Sequence, residues 1–431
     1  MRRVLSLRGF RLLTVATGTS ILGDQFALVA MPWLALQLTR DPLTLGVVLA
    51  LEGVPRAVFM LLGGAITDRL SPRAIMILSD AARFLLTGAL AALVLAGAMQ
   101  TWMLYAFGLA FGLVAGFAVP AASSMVPTLV EEGDLQAGNA VVMSLEQLAS
   151  FVGPSLAGLL IGAYAHAFVG IGLAFALDAA SFAVSAACLA LIGRDSRPLR
   201  DGSEEPQGVL ASIGTGLRYL WTDAPLRVMV LVLTGVNFLL TGPLLVGVPV
   251  LASERLPQGA LAFGMLLSAF SGGNLLGYLA AGSLPRLGRA AMHALMISLL
   301  TGFGAAFAVL GVLTSTWIDA GLLFVLGLGN GYLAITLFTW VQTRTPKAML
   351  GRMMSILMLT SVGLVPVSQA ISGAVAKWDL TLLFVLAGGL ELLLGLWAAF
   401  RPELEAFSRS LAGGAGATPA GAPGAPEPEG A

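Results

Sequence analysis

Apolar residues run along this chain in long unbroken stretches, separated by short polar breaks. Twelve stretches are legible, at about 11–38, 43–66, 74–98, 102–129, 139–163, 168–192, 226–252, 260–284, 290–313, 317–342, 352–376 and 380–400. Each is near or above the roughly 20 residues that a helix needs to cross a hydrocarbon core of about 30 Å. Barrel strands need only about 10 alternating residues, so the pattern predicts helices. The breaks carry turn and charge signals: Arg40-Asp41-Pro42, Ser71-Pro72-Arg73, Glu131-Glu132-Gly133-Asp134 and Pro285-Arg286. The longest internal polar stretch, Gly193 to Asp223, divides six apolar runs from six. The predicted fold is an all-α membrane protein of twelve transmembrane helices. A six-helix bundle at 1–192 and another at 226–400 flank a linker at 193–225, with a short amphipathic helix near 213–221. The tail at 401–431, rich in Gly, Ala, Pro and Glu, cannot bury a core and is expected to be disordered.

Composition changes the picture only by exclusion. Apolar residues make up 57% of the chain and charged residues 11%, against about 25% charged in soluble domains. So few charges cannot coat a soluble surface of this size. The net charge is zero, which gives no reason to expect a nucleic acid partner. A single cysteine, Cys188, and two distant histidines, His166 and His293, exclude a disulfide framework and argue against a metal site, and no cofactor is expected. Arg2, Arg3, Arg8 and Arg11 precede an apolar run from Leu12 to Leu38, too long for a cleaved signal, so it is read as the first membrane helix.

Basic residues predict the orientation. If the N-terminus is cytoplasmic, 18 of the 23 Lys and Arg residues fall on that side. Only Arg40, Arg255 and Lys377 fall opposite, and Arg56 and Arg83 lie within spans. That asymmetry predicts a multi-pass inner-membrane protein with both termini in the cytoplasm.

The two halves echo each other. Gly64-Ala65-Ile66-Thr67-Asp68-Arg69 closes the second run, and Gly282-Ser283-Leu284-Pro285-Arg286 closes the eighth. Val126-Pro127-Thr128 and Val341-Gln342-Thr343 end the fourth and tenth. Both offsets are close to half the chain, as duplication predicts. The segment from Gly63 to Arg73 resembles the cytoplasmic loop signature of the major facilitator superfamily: Gly64, Asp68, Arg69 and Arg73 match, while Ser71-Pro72 replaces the usual second glycine. The resemblance implies two pseudo-symmetric six-helix bundles with substrate between them. It also implies a charged cytoplasmic gate, to which Asp80 and Arg83 are added. Read locally, the same residues make an ordinary charged turn at helix ends. The second half has Arg286 where the acid would stand, so any latch is asymmetric.

In the fifth run, Gly153, Pro154 and Gly158 resemble the antiporter signature of the same superfamily, with Ala149 and Ala157 in place of glycines. Pro154 should bend the helix, and the small residues permit close packing between helices; a kinked, tightly packed helix is the plainer reading. Together with Gly23-Asp24-Gln25, Ala30-Met31-Pro32-Trp33, Pro55 and Ala137-Gly138-Asn139-Ala140, the first half resembles the drug:proton antiporter branch that includes macrolide efflux and enterobactin export proteins. The resemblance implies a monomeric secondary transporter that exports a small lipophilic or drug- or siderophore-like substrate, with the proton as coupling ion. Import, or flipping of lipid or lysolipid, is the nearest alternative. A receptor would be expected to carry a sizeable soluble domain and an intramembrane enzyme a nucleophile or metal cluster; neither is visible. No Gly-x-x-x-x-Gly-Lys-Ser/Thr loop is present, so an ion gradient is the expected energy source.

Ionisable residues inside spans mark candidate sites, since a mid-bilayer charge costs at least about 2.5 kcal/mol unless it is paired or hydrated. Glu52 and Arg56 are one turn apart and Asp80 and Arg83 three residues apart, so each couple is expected to pair. Asp24 has no basic neighbour on its own helix and ranks first as a proton-coupling carboxylate, followed by Glu146, with Glu52 and Arg56 also considered. Asp178 and Glu391 fall in helices that the fold places towards the periphery and are expected to serve packing or inter-helix hydrogen bonds. Candidates to line a substrate cavity are Gln25, Trp33, Asn237, Asn274, Asn330, Tyr332 and Gln369; each could equally bind helix to helix.

Overall fold

The computed structural model describes residues 2–67, 71–193, 218, 220–283, 289–345, 349, 353, 356–357, 360 and 362–405. Among these the structure is helical throughout, with no strand. A short α1 (Arg2–Ser6) leads into α2 (Arg8–Thr39), α3 (Pro42–Thr67), α4 (Pro72–Leu95), α5 (Thr101–Leu129), α6 (Leu135–Gly162) and α7 (Ala167–Leu191). The second half holds α8 (Ala224–Gly242), α9 (Val248–Arg255), α10 (Ala260–Ser283), α11 (Arg289–Leu310), α12 (Thr316–Arg344), α13 (Val365–Trp378) and α14 (Leu380–Ala399). Eleven spans among the described residues are long and apolar enough to cross a membrane. The run predicted at 352–376 is represented by α13 and by helical positions at 353, 356–357, 360 and 362. Most of the predicted linker and the tail beyond 405 lie outside the described residues.

Local chemistry sets the helix ends. Pro72 occupies the first turn of α4, where its missing N–H costs nothing. Asp223 and Asp379 cap α8 and α14 by accepting the amides of Leu226 and Leu382. At Asp379 that bond holds the carboxyl below its ordinary range. The seventh predicted run is not one continuous α-helix. Pro243 cannot donate to the preceding turn, and residues Pro243–Gly247 form a π turn between α8 and α9. Ser368 of α13 serves this break, accepting from the Gly242 amide and donating to the Phe238 carbonyl.

Up-and-down connectivity puts residues 8, 191 and 399 at one end of the molecule, the near end, and residues 39, 162 and 260 at the other, the far end. Trp102, Trp317 and Trp378 are exposed at the far end, and Trp221, Trp397 and Phe400 at the near end. Aromatic belts of this kind sit where hydrocarbon meets headgroups. Apolar side chains such as Leu78, Leu85, Val325 and Leu393 cover the outer face between them.

The buried core divides unevenly. One cluster joins both halves through Trp33, Leu36, Val48, Ile161, Val250, Phe263, Phe307 and Phe384, residues towards the far end. Two further clusters lie towards the near end, one per half, around Phe10, Met125 and Leu189 and around Met296, Trp340 and Leu404. The molecule is therefore fused at the far end and split at the near end.

Two helix pairs make the seam. On α6, a Cβ added at Gly158 would lie 2.5 Å from the Ala260 carbonyl and 3.2 Å from Gly264 of α10. On α3, one added at Gly46 would lie 2.6 Å from the Gln369 carbonyl and 2.9 Å from Gly373 of α13. Only glycine allows backbones this close. Pro154 has no amide to give, and the next amide, Ser155 N–H, donates across the seam to Ser268 at 3.0 Å. Asp41 and Lys377 add an ion pair of 3.3 Å between the halves at the far end.

Candidate functional site

A cavity of about 690 Å³ lies between the halves, lined by α2, α3, α4, α5, α6 and α7 and, from the second half, by Leu245, Val362, Val365, Pro366 and Gln369. Its size suits a drug-sized ligand. Its wall is mostly apolar, with Met31, Leu49, Phe111, Phe175 and Phe182, and it carries an unusual set of charges: Asp24, Glu52, Arg56, Arg83, Glu146 and Asp178. A second cavity of about 560 Å³ enters the first half, between α2, α4, α5, α6 and α7. The two share Ile21, Asp24, Arg83, Val119 and Glu146, so Asp24 and Arg83 stand at their junction.

The pairing differs from the sequence expectation. Arg83 Nη1 lies 3.7 Å from Asp24 Oδ1, across from α4 to α2, and the guanidinium also rests over the Phe182 ring. Asp80, expected to pair with Arg83, instead accepts from the Ser185 hydroxyl at 2.6 Å. Three residues apart on one helix puts two side chains on one face, but the stronger partners here come from neighbouring helices. Glu52 and Arg56 both face the cavity and form no ion pair within 4 Å among the described residues. Arg56 is exposed at the cavity wall and Glu52 half-buried there, and a pair with such access to solvent gains little from close contact. Asp24 itself is 46% exposed and so reachable from the cavity.

Of the predicted lining residues, Gln25 and Gln369 border the cavity. Gln25 packs against Gly153, whose missing side chain makes room for it. Gln369 leaves its Oε1 unpartnered among the described residues. Trp33 lies deeper, in the shared far-end core against Gly259, where positive φ makes the turn into α10. Asn274 accepts from Asn330 at 2.9 Å, joining α10 to α12 inside the second half. Asn237 bonds its own helix at Leu233, and Tyr332 packs on the near-end core. None of these five borders the cavity.

In the loop motif, Arg73 reaches the last carbonyls of α7, donating to Leu189 and Ala190 at 2.7 Å each. That is a helix C-cap within one half. Gly64 lies in α3, while Asp68 and Arg69 are outside the described residues. In the fifth run, Pro154 and Gly158 sit on the seam against α10, and Gly153 faces α2.

Three features escaped the sequence reading. Asp178, expected at the periphery, borders the cavity and is buried. Asp319, in the first turn of α12, is fully buried with both carboxylate oxygens unpartnered among the described residues. Glu391, expected to form inter-helix bonds, is likewise buried without a described partner.

A sequence profile described as the Major Facilitator Superfamily matches residues 13–369. The multidrug efflux pump Tap of Mycolicibacterium fortuitum is 27% identical over 404 residues, covering 91% of this chain and 96% of that protein. The enterobactin exporter EntS of Escherichia coli is 26% identical over 344 residues, covering 80% and 79%. Among solved structures, the nucleoside transporter NupG superposes with a TM-score of 0.73 at 12% identity, over 91% of this chain and all of that one. A bacterial homologue of the iron transporter ferroportin in an inward-facing state gives 0.68 at 16%, over 94% and 99%.

Proposed function

The chain belongs to the Major Facilitator Superfamily and is a multi-pass membrane transporter, not an enzyme, and from that premise we propose that it exports small lipophilic, drug- or siderophore-like molecules by proton-coupled alternating access. The observation that carries this reading is the Asp24–Arg83 pair, which stands at the mouth shared by both cavities. A cavity-facing carboxylate paired with a guanidinium can exchange that partner for a proton, and the exchange changes the charge that a substrate meets. The efflux relatives support export over import. The basic-residue asymmetry supports a cytoplasmic near end and an inner-membrane protein with both termini inside. Residues 193–225 then act as the cytoplasmic linker between two rocking bundles, and 401–431 as a cytoplasmic tail. The conformation described, fused at the far end, is the one that loads substrate from the cytoplasm.

Inverted vesicles incubated with a panel of lipophilic compounds, assayed with and without an imposed proton gradient, test the reading. Gradient-driven accumulation is expected, and Asp24→Asn should abolish it while the protein still inserts. Accumulation indifferent to the gradient removes proton coupling. Movement only in the importing direction, or of lipid alone, replaces export by one of its rivals.

A further inference from the structure

Asp178 is the strongest unassigned feature of the molecule. It lies on α7, is 2% exposed, and borders the central cavity. Its Oδ1 has no hydrogen-bond partner among the described residues. That oxygen points at the residue before Asp24: a Cβ built on Gly23 would lie 2.6 Å from it, and would also strike the Ser181 hydroxyl. Gly23 is thus a slot in α2 that receives the Asp178 carboxyl beside Asp24.

The charges around this point come from five helices. Asp24 is on α2, Glu52 and Arg56 on α3, Asp80 and Arg83 on α4, Glu146 on α6 and Asp178 on α7. Asp80 is satisfied by Ser185. Glu52 and Arg56 line the same cavity from α3. Among the described residues Arg83 is the guanidinium that pairs with Asp24 within 4 Å. An ionised Asp178 would then be buried with no donor on Oδ1 among the described residues while Arg83 is engaged by Asp24, an arrangement proteins avoid. Two carboxylates this close to one cation cannot both ionise cheaply.

We propose that Asp24 and Asp178 form one proton-binding site that holds a single proton between them, with Arg83 pairing whichever carboxylate is ionised. In the state described, the proton sits on Asp178 and Arg83 pairs with Asp24. When Arg83 swings to Asp178, the proton leaves the Asp178 oxygen and joins Asp24, which faces both cavities and can release it. No other bond is made or broken. The proposal rests on the proton-coupled reading above and names the second carboxylate of its site.

Infrared spectra of the purified protein in H2O and D2O test it directly. The wild type should show the deuterium-sensitive C=O stretch of a protonated carboxylic acid that is missing from Asp178→Asn and, because Arg83 is then free to pair with Asp178, weakened in Asp24→Asn. In reconstituted vesicles, Asp178→Asn should lose gradient-driven accumulation while keeping substrate exchange, and the double variant should be no worse than either single one. If Asp178→Asn does not fold, Gly23→Ala leaves both carboxylates but fills the slot, and should shift the same band. A band unchanged in Asp178→Asn, or in Gly23→Ala, overturns the proposal. So does a pH profile of Asp178→Asn that is scaled down but not altered in shape. A proton band at Asp178 in a chain whose transport ignores the gradient would leave this site standing and remove only the coupled function.

Discussion

The α3–α13 seam allows a quantitative test of the alternating movement. A methyl group at position 46 would meet the Gln369 carbonyl at 2.6 Å, Gly373 Cα at 2.9 Å and Gly373 N at 3.2 Å. All three are backbone atoms, so no side chain can turn aside and the helices must separate. Overpacking of this kind costs about 1–3 kcal/mol. The cost falls on the far-closed state alone, because the contact exists only while the halves are fused there. Gly46→Ala should therefore shift the balance towards the far-open state by about 5- to 150-fold. The control is Gly321→Ala on α12, where an added Cβ meets nothing within 4 Å. The single native cysteine, Cys188, makes a clean background simple to build. A reporter cysteine at cavity-lining Leu28 can then be labelled from the far side with a membrane-impermeant maleimide. Labelling should be faster by that factor in Gly46→Ala and unchanged in Gly321→Ala. Equal rates in both would refute the idea that this glycine contact holds the far end shut.

Two further outcomes follow from the described contacts. The Asp41–Lys377 pair is 27% and 50% exposed at its two side chains, so it is worth about 0.2–1 kcal/mol and is screened by salt. Lys377→Ala should raise far-side labelling of the same reporter by less than about 5-fold, the charge-swapped double variant should restore it, and high salt should erase the difference. Asn274→Ala removes the bond to Asn330 and should lower the melting temperature modestly, by about 0.6 kcal/mol of stability. The range of compounds transported should not change; a narrowed range would return Asn274 to the binding surface.

The sequence was most legible where solvent alone decides structure. Lipid demands long apolar helices, so runs such as Thr101–Leu129 and Leu380–Ala399 could be located without knowing their neighbours. The small residues of the fifth run pointed to close packing, and Gly158 does meet α10. What failed was partner choice. Arg83 could be given a carboxylate on its own helix by counting residues, but its partner, Asp24, lies 59 positions away. Which face of α7 turns inward depends on how α2 and α4 pack against it, and that set Asp178 at the cavity and Trp33 below it. Pro243 was visible in the sequence, but the π turn needed Ser368 from α13 to satisfy the freed groups.

The uneven division of the core has a thermal consequence. Parting the halves at the far end wets apolar surface that Trp33, Ile161, Phe263 and Phe384 now keep dry, whereas the two near-end clusters stay covered within their own halves. Wetting apolar surface raises heat capacity, so the enthalpy of that step must change with temperature. The turnover rate should then bend on an Arrhenius plot whenever far-end opening limits the cycle, and straighten when a seam variant makes some other step the slow one.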